Sequence, residues 1–166
     1  MTKNYFIQLA EYNIWANTIF MGWLRQITDE QWNQPAESSF KSIAETVVHT
    51  AGAEKIWFER LTEVQSPVFL LSVFKGTKEE ALAIWETTSQ NLKSFIENLD
   101  ETQMQKVLRF VRLDNKTYEL EYYQVFAHIF NHSTYHRGQL VTLLRQAGFT
   151  GIHSTDVSTY FWSLKH

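Results

Sequence analysis

The stretch that decides the fold is Tyr122-Tyr123-Gln124-Val125-Phe126-Ala127-His128-Ile129-Phe130-Asn131-His132-Ser133-Thr134-Tyr135-His136-Arg137-Gly138-Gln139-Leu140-Val141-Thr142-Leu143-Leu144-Arg145-Gln146-Ala147. It reads as one long amphipathic helix, closed by Gly148, a residue suited to the left-handed position after a helix end. His128, His132 and His136 form a ladder in it. Each i, i+4 step advances about 40° beyond a full turn and rises about 6 Å, so two successive imidazoles can converge on one ion. His128 and His136 stand roughly 12 Å apart along the axis and cannot both reach it. At most two rungs belong to one site, and spacing leaves open which two.

Three further segments share the helical period. Asn4 to Gln26 places Tyr5, Leu9, Tyr12, Ala16, Ile19 and Trp23 along one side. Thr28-Asp29-Glu30-Gln31 starts a short helical turn that Pro35 ends. Ser42-Ile43-Ala44-Glu45 is a capping-box pattern opening a helix to about Leu61, and Thr77-Lys78-Glu79-Glu80 is another, opening a helix to about Leu99. Ser66-Pro67 breaks the chain between them. From Lys106 to Glu121 the period shifts toward two, with Leu113-Asp114-Asn115-Lys116 as a turn, which predicts an extended excursion or short hairpin. After a polar start at Thr150, the tail to His166 returns to helical spacing at Val157, Tyr160, Phe161 and Leu164. Four long amphipathic segments without βα alternation predict an all-α, antiparallel four-helix bundle spanning residues 1–166 as a single domain, with the hairpin before the last long helix and a C-terminal helical tail packed back on it.

Composition narrows the function. With 166 residues, 44% hydrophobic and 20% charged, the chain can bury one sizeable core. Its 6 Trp, 7 Tyr and 12 Phe supply wide rings to fill the gaps between helices. A formal charge of −3 without a basic cluster disfavours nucleic-acid binding. The absence of cysteine excludes disulfides, zinc ribbons and a protein thiol nucleophile, so any metal must be held by histidine, carboxylate or backbone oxygen. The N-terminus lacks a signal-peptide shape and no apolar run would span a bilayer, which predicts a cytoplasmic chain without membrane contact. Bundles with aromatic surfaces often pair, so a homodimer is expected.

A third metal ligand must come from outside the ladder. His49 lies mid-helix in the second long segment, while His153 and His166 sit in or near the tail. Three neutral imidazoles with open positions suit zinc or nickel first, then iron, cobalt or manganese. Equally, two histidines at i, i+4 on an aromatic-rich helix can be packed core, hydrogen-bonded to Tyr or Asn. Rival motifs are missing: no Glu stands three residues before a His as in di-iron bundles, and there is no His-Glu-x-x-His, phosphate loop or Gly-x-Ser-x-Gly elbow.

Phe130 to Gln139 resembles the last-helix signature of the DinB-like family, named for DNA-damage-inducible proteins. Tyr12-Asn13-Ile14-Trp15-Ala16-Asn17, Val47-Val48-His49 followed by Glu54 and Trp57, and Ser154-Thr155-Asp156 extend the likeness over nearly the whole chain in the expected order. The resemblance implies an up-down-down-up bundle and a metal site of His49, His132 and His136, leaving His128 as a neighbour or core residue. It also implies kinship with enzymes that use bacillithiol, mycothiol or glutathione, including thiol S-transferases and a maleylpyruvate isomerase. On that reading a small-molecule thiol is the cofactor, a small electrophile the partner substrate, and stress or detoxification the setting. A non-catalytic metal-stabilised bundle that binds a ligand or partner protein is the alternative, and a metal-free structural bundle a third.

Asn131 and Arg137 flank the ligands and are the candidates to receive an anionic part of a thiol cofactor; residues of these types more often pair with a carboxylate or cap a chain end. Gly138, which costs a helix about 1 kcal/mol against alanine, is expected to admit a close neighbour, and Gln139 to bond that same neighbour. Asn13 and Asn17 are expected to fix helix packing or line the pocket. Glu45, four residues before His49, can accept its distal N–H or complete the capping box. Trp15, Trp57 and Tyr135 are candidate pocket walls, or simply core.

Overall fold

A computed structural model describes residues 2–112 and 114–165. The turn residue Leu113 and the tail residue His166 lie outside the described residues.

The helix starts follow from side-chain caps. Helix α1 (Lys3–Gln26) begins where Thr2 Oγ1 accepts from the Tyr5 amide. The short α2 (Asp29–Asn33) is held by a complete Thr28/Gln31 capping box. Helix α3 (Ile43–Leu61) is capped by Ser42, but Glu45 reaches past the cap to the Lys41 amide at 3.0 Å. Its carboxylate is engaged there, at the helix start. Helix α4 (Leu70–Val73) is one turn within the next connection, too short to leave a periodic pattern. Helix α5 (Lys78–Glu97) opens on a full Thr77/Glu80 box, and a 3-10 turn over Glu101–Gln105 follows it. Strands β1 (Val107–Val111) and β2 (Thr117–Glu121) form the expected antiparallel hairpin, pairing Leu108 with Leu120 and Phe110 with Tyr118. Helix α6 (Tyr122–Gln146) ends in a Schellman-type closure: Gly148 takes φ 84°, its amide bonds Arg145 O at 3.0 Å, and the Phe149 amide bonds Leu144 O at 2.9 Å. Helix α7 (Val157–Ser163) seats Tyr160 against Tyr12 and Trp15 of α1.

Cross-helix pairs fix the directions of the four long helices. Phe6 meets Phe126, and Asn13 and Asn17 meet Arg137, so α1 and α6 run parallel. Glu11 pairs with Lys93 and Arg25 with Glu79, so α5 runs against α1. Glu54 meets Ser89 and Phe58 meets Phe95, which makes α3 parallel to α5. His49 meets His136 while Trp57 meets His128, so α3 opposes α6. The result is an up-down-down-up four-helix bundle. Parallel α3 and α5 need a chain crossover, and α4 lies on it. A Cβ at Gly52 would stand 2.8 Å from Leu70 Cβ, so the glycine lets α4 lie directly against α3. Close approach was expected instead at Gly138, where a Cβ would meet nothing within 4 Å; that residue faces outward.

Two apolar clusters fill the bundle. One contains Phe20, Leu24, Val47, Trp85 and Leu144; the other contains Phe6, Ile56, Leu92, Phe126 and Ile129. On every long helix the residues between the two are polar: Asn13 and Asn17, Glu54, Ser89, then Ser133 and Arg137, all buried. No helix among the described residues is long and apolar enough to cross a membrane.

Candidate metal centre

Consecutive residues of a helix point about 100° apart, so α6 presents two stripes to the bundle. Ser133 and Arg137 face the interior, while His132 and His136 face α3, where His49 meets them. His49 Nε2 lies 3.2 Å from His132 Nε2, which lies 3.1 Å from His136 Nε2. Ligand atoms of all three lie within 4.8 Å of one another, and no fourth His, Cys, Asp or Glu joins them among the described residues. Two nitrogens bound to one tetrahedral ion at about 2.0–2.1 Å stand roughly 3.3 Å apart, so the spacing fits a shared divalent ion.

The electrostatics fit as well. Burial and the nearby His136 push His49 down to about 4. Burial, with His136, His49 and His128 beside it, pushes His132 down to about 3. Burial also lowers His136, against its hydrogen bond to Gln139, which works the other way. At neutral pH the three rings are therefore neutral, the form that coordinates metal. Gln139 Oε1 lies 2.8 Å from His136 Nδ1, while its amide nitrogen is within reach of Ser39 Oγ and Tyr135 Oη. With the amide so oriented, Nδ1 is the donor and the Nε2 lone pair faces the centre. Phe40 stacks on His49 at 4.2 Å and also approaches His136, covering that side of the group.

A cavity of about 770 Å³ opens beside the group, touching His49 and His132 but not His136. Its apolar walls include Ile56, Trp57, Phe69, Leu70 and Phe110.

A model of the DinB family matches residues 1–163. The chain belongs to the DinB family. It is 26% identical to Protein DinB of Bacillus subtilis, over 98% of this chain and 97% of that one. Among solved structures, a DinB-like protein from Bacillus cereus superposes with a TM-score of 0.71 at 15% identity, covering 90% of this chain and 95% of that one. YfiT from Bacillus subtilis, described as a probable metal-dependent hydrolase with an unusual four-helix bundle topology, superposes with a TM-score of 0.69 at 18% identity, covering 89% of each. These likenesses share the DinB fold described above.

Other candidate residues divide between site and scaffold. Trp57 walls the cavity, whereas Trp15 packs on Tyr12 and Tyr160, and Tyr135 is exposed with its ring edge toward His136. His128 is exposed, with its ring 5.6 Å from that of His132, and lines the cavity outside the ligand group. Asn131 is exposed and donates to the Ala127 carbonyl at 2.8 Å. Arg137 is buried; its Nη1 donates to Asn13 Oδ1 at 2.5 Å and Asn17 Oδ1 at 2.7 Å. Neither residue lines the cavity. The two asparagines in turn donate to Glu54 Oε1, which also accepts from Trp85 and Ser133, while Ser89 donates to Oε2 at 2.6 Å. Burial lowers the Arg137 pKa, opposed by Tyr12 and Glu54.

Sequence reasoning gave Gln139 another role, bonding the neighbour expected at Gly138, and did not name Phe40. Gln139 was detectable, because an i, i+3 pair on one helix face is a standing contact. Phe40 comes from the irregular segment between α2 and α3, where no periodicity marks a side chain's direction.

Proposed function

We propose that His49, His132 and His136 hold one divalent transition-metal ion, zinc or nickel by preference, and that the chain is a metal-dependent enzyme of the thiol S-transferase type, acting on small electrophiles in stress or detoxification. The observation that carries this reading is the convergence of three neutral imidazole nitrogens, two of them on the wall of a largely apolar cavity. A bound ion there supplies Lewis-acid chemistry, lowering the pKa of a thiol or a water brought to its open side. The protein's own contribution is positional. Gln139 holds the His136 ring, Phe40 shields the His49 face from water, and Trp57, Ile56 and Phe110 take the apolar body of a substrate. With no cysteine in the chain, a nucleophilic thiol must be a separate small molecule such as bacillithiol. The description of YfiT favours a second reading, hydrolysis, in which water takes the thiol's place.

The test pairs metal content with turnover. Elemental analysis of the purified protein should find one metal ion per chain, and His132→Ala should lose it on dialysis. The metal-loaded protein should then conjugate a model electrophile with bacillithiol or glutathione. Full loading without conjugation by any thiol, but with thiol-independent cleavage of an ester or amide, would replace the transferase reading with the hydrolase one. Equal metal content in wild type and His132→Ala would remove the centre itself.

A further inference from the structure

The cavity's far end, away from the three imidazoles, carries two arginines, with Asp114 and Glu119 also in the lining. Arg60 of α3 lies between two rings, its Cζ 4.7 Å from the Trp57 centroid and 4.8 Å from that of Phe110. Arg112, at the end of β1, places Cζ 5.1 Å from the Tyr118 ring. Both line the cavity, and neither forms a salt bridge among the described residues. The carboxylates nearby are engaged elsewhere: Glu119 pairs with Arg109, and Asp114 accepts from Tyr118 Oη and the Lys116 amide. Arg60 uses Nη2 on the Val111 carbonyl at 3.2 Å, and its Nε is buried without a partner.

We propose that Arg60 and Arg112 form an anion subsite, so that the substrate is a small molecule with an apolar body and an anionic group at its far end. Holding the hairpin onto α3 would account for the ring contacts and the Val111 bond. It would not account for two guanidinium groups brought to one cavity wall, neither in a salt bridge with Asp114 or Glu119, which line the same cavity. Burial and the Arg112 charge both lower the Arg60 pKa, and burial, Arg60 and Arg112 together lower that of His128, as expected where positive charges crowd; Asp114 feels the Arg112 charge but forms no salt bridge with it. A carboxylate or phosphate matches the guanidinium fork and would relieve that crowding. Trp57 lies two helical turns beyond His49, a rise of about 12 Å, which sets the span from reacting end to anion. The walls between are apolar, so the anion belongs to the electrophile and not to a thiol that is polar throughout. The identity of the reacting end rests on the proposed metal function; the subsite does not.

Calorimetric titration of the metal-loaded protein with phenylbutanoate and with phenylbutanamide tests this directly. The acid should bind at least about tenfold tighter than its uncharged amide, the effect of a charge-assisted hydrogen bond. Arg60→Gln should erase most of that preference, and His132→Ala should keep it. Glutathione should not displace the acid. Equal affinity for acid and amide, or no binding of either, overturns the proposal. So does a preference that survives Arg60→Gln but vanishes in His132→Ala, because the acid would then be binding metal. Displacement by glutathione would overturn the assignment to the electrophile. If Arg60→Gln melts early, Arg112→Gln carries the same comparison, and a preference unchanged there counts against the subsite. Failure of metal to load would leave the acid preference standing, which separates this result from failure of the metal reading.

Discussion

Within a turn or two of each other, the bundle holds two buried polar groups built on opposite principles. Around Glu54 of α3, donors and acceptors match: five donors from the three other long helices meet one carboxylate, and Arg137 closes the set through Asn13 and Asn17. Around His132, three ring nitrogens approach within 3.1–3.2 Å, and Gln139 keeps the His136 proton on the far side of its ring. The first group is complete without a ligand. The second brings three ring nitrogens together with none of the described carboxylates among them. Neighbouring residues of one helix supply both, Ser133 and Arg137 to the first and His132 and His136 to the second. A completed network fixes how helices pack; an incomplete one beside a cavity is where a cation is accommodated.

The largest expected effect comes from breaking the completed group. Glu54→Ala leaves Arg137 buried without its compensating charge and strands the five donors. It should cost about 3–5 kcal/mol in urea unfolding, the usual loss on removing one partner of a buried charged pair. If the Glu54 layer is scaffold only, metal bound per folded chain should be unchanged. A loss under 1 kcal/mol, within the range of an ordinary surface change, would mean water already reaches this layer.

The histidine group should respond to pH instead. Three exposed histidines would each be almost fully protonated at pH 5 and lose metal steeply below their ordinary value of about 6.5. Here His49 and His132 are pushed down to about 4 and about 3, so protons do not compete at those two rings until well below pH 5. Affinity should therefore fall by less than about 25-fold between pH 7 and pH 5, the most that one ring, His136, can cost when its own value lies below the ordinary one. Metal-free protein carries the opposite signature. Its folded-state values lie below the unfolded one, so the unfolded chain binds more protons and stability falls as pH drops from about 6.5 through 4 to about 3, then levels off. Competition with a chelator and melting curves over that window measure both. A loss of about thirtyfold between pH 7 and pH 6, threefold for each of three rings, would show that they titrate as exposed ones do.

Legibility in the sequence follows the same division. Helices with capping boxes at Thr28 and Thr77, the closure at Gly148 and the hairpin all carry local signals, because a cap or turn is decided by residues a few positions apart. The spacing of His132 and His136 gave the geometry of one pair, and family resemblance added His49. The bundle's direction order could not come from amphipathicity, since a helix presents the same apolar stripe whichever way it runs. The roles of Arg137 and Asn131 turned on a 100° difference in facing that their neighbours' motif concealed. Arg60 and Arg112, 52 positions apart, meet only because the hairpin folds onto α3.

Gly138 and Gly52 give the smallest effect and a test of sign. Both lie within long helices, where glycine costs roughly 1 kcal/mol against alanine. At Gly138 a Cβ meets nothing within 4 Å, so Gly138→Ala should stabilise the protein by up to about 1 kcal/mol, raising its melting temperature slightly and leaving metal content unchanged. At Gly52 the same atom would lie 2.8 Å from Leu70 Cβ, so alanine must push α4 off the cavity wall and the gain is lost. Two identical substitutions thus part because one faces water and the other the Leu70 Cβ of a packed turn. A destabilised Gly138→Ala would mean that a neighbour does rest against that helix, a second copy of the chain among the candidates, and would return the close approach to where the histidine motif first suggested it.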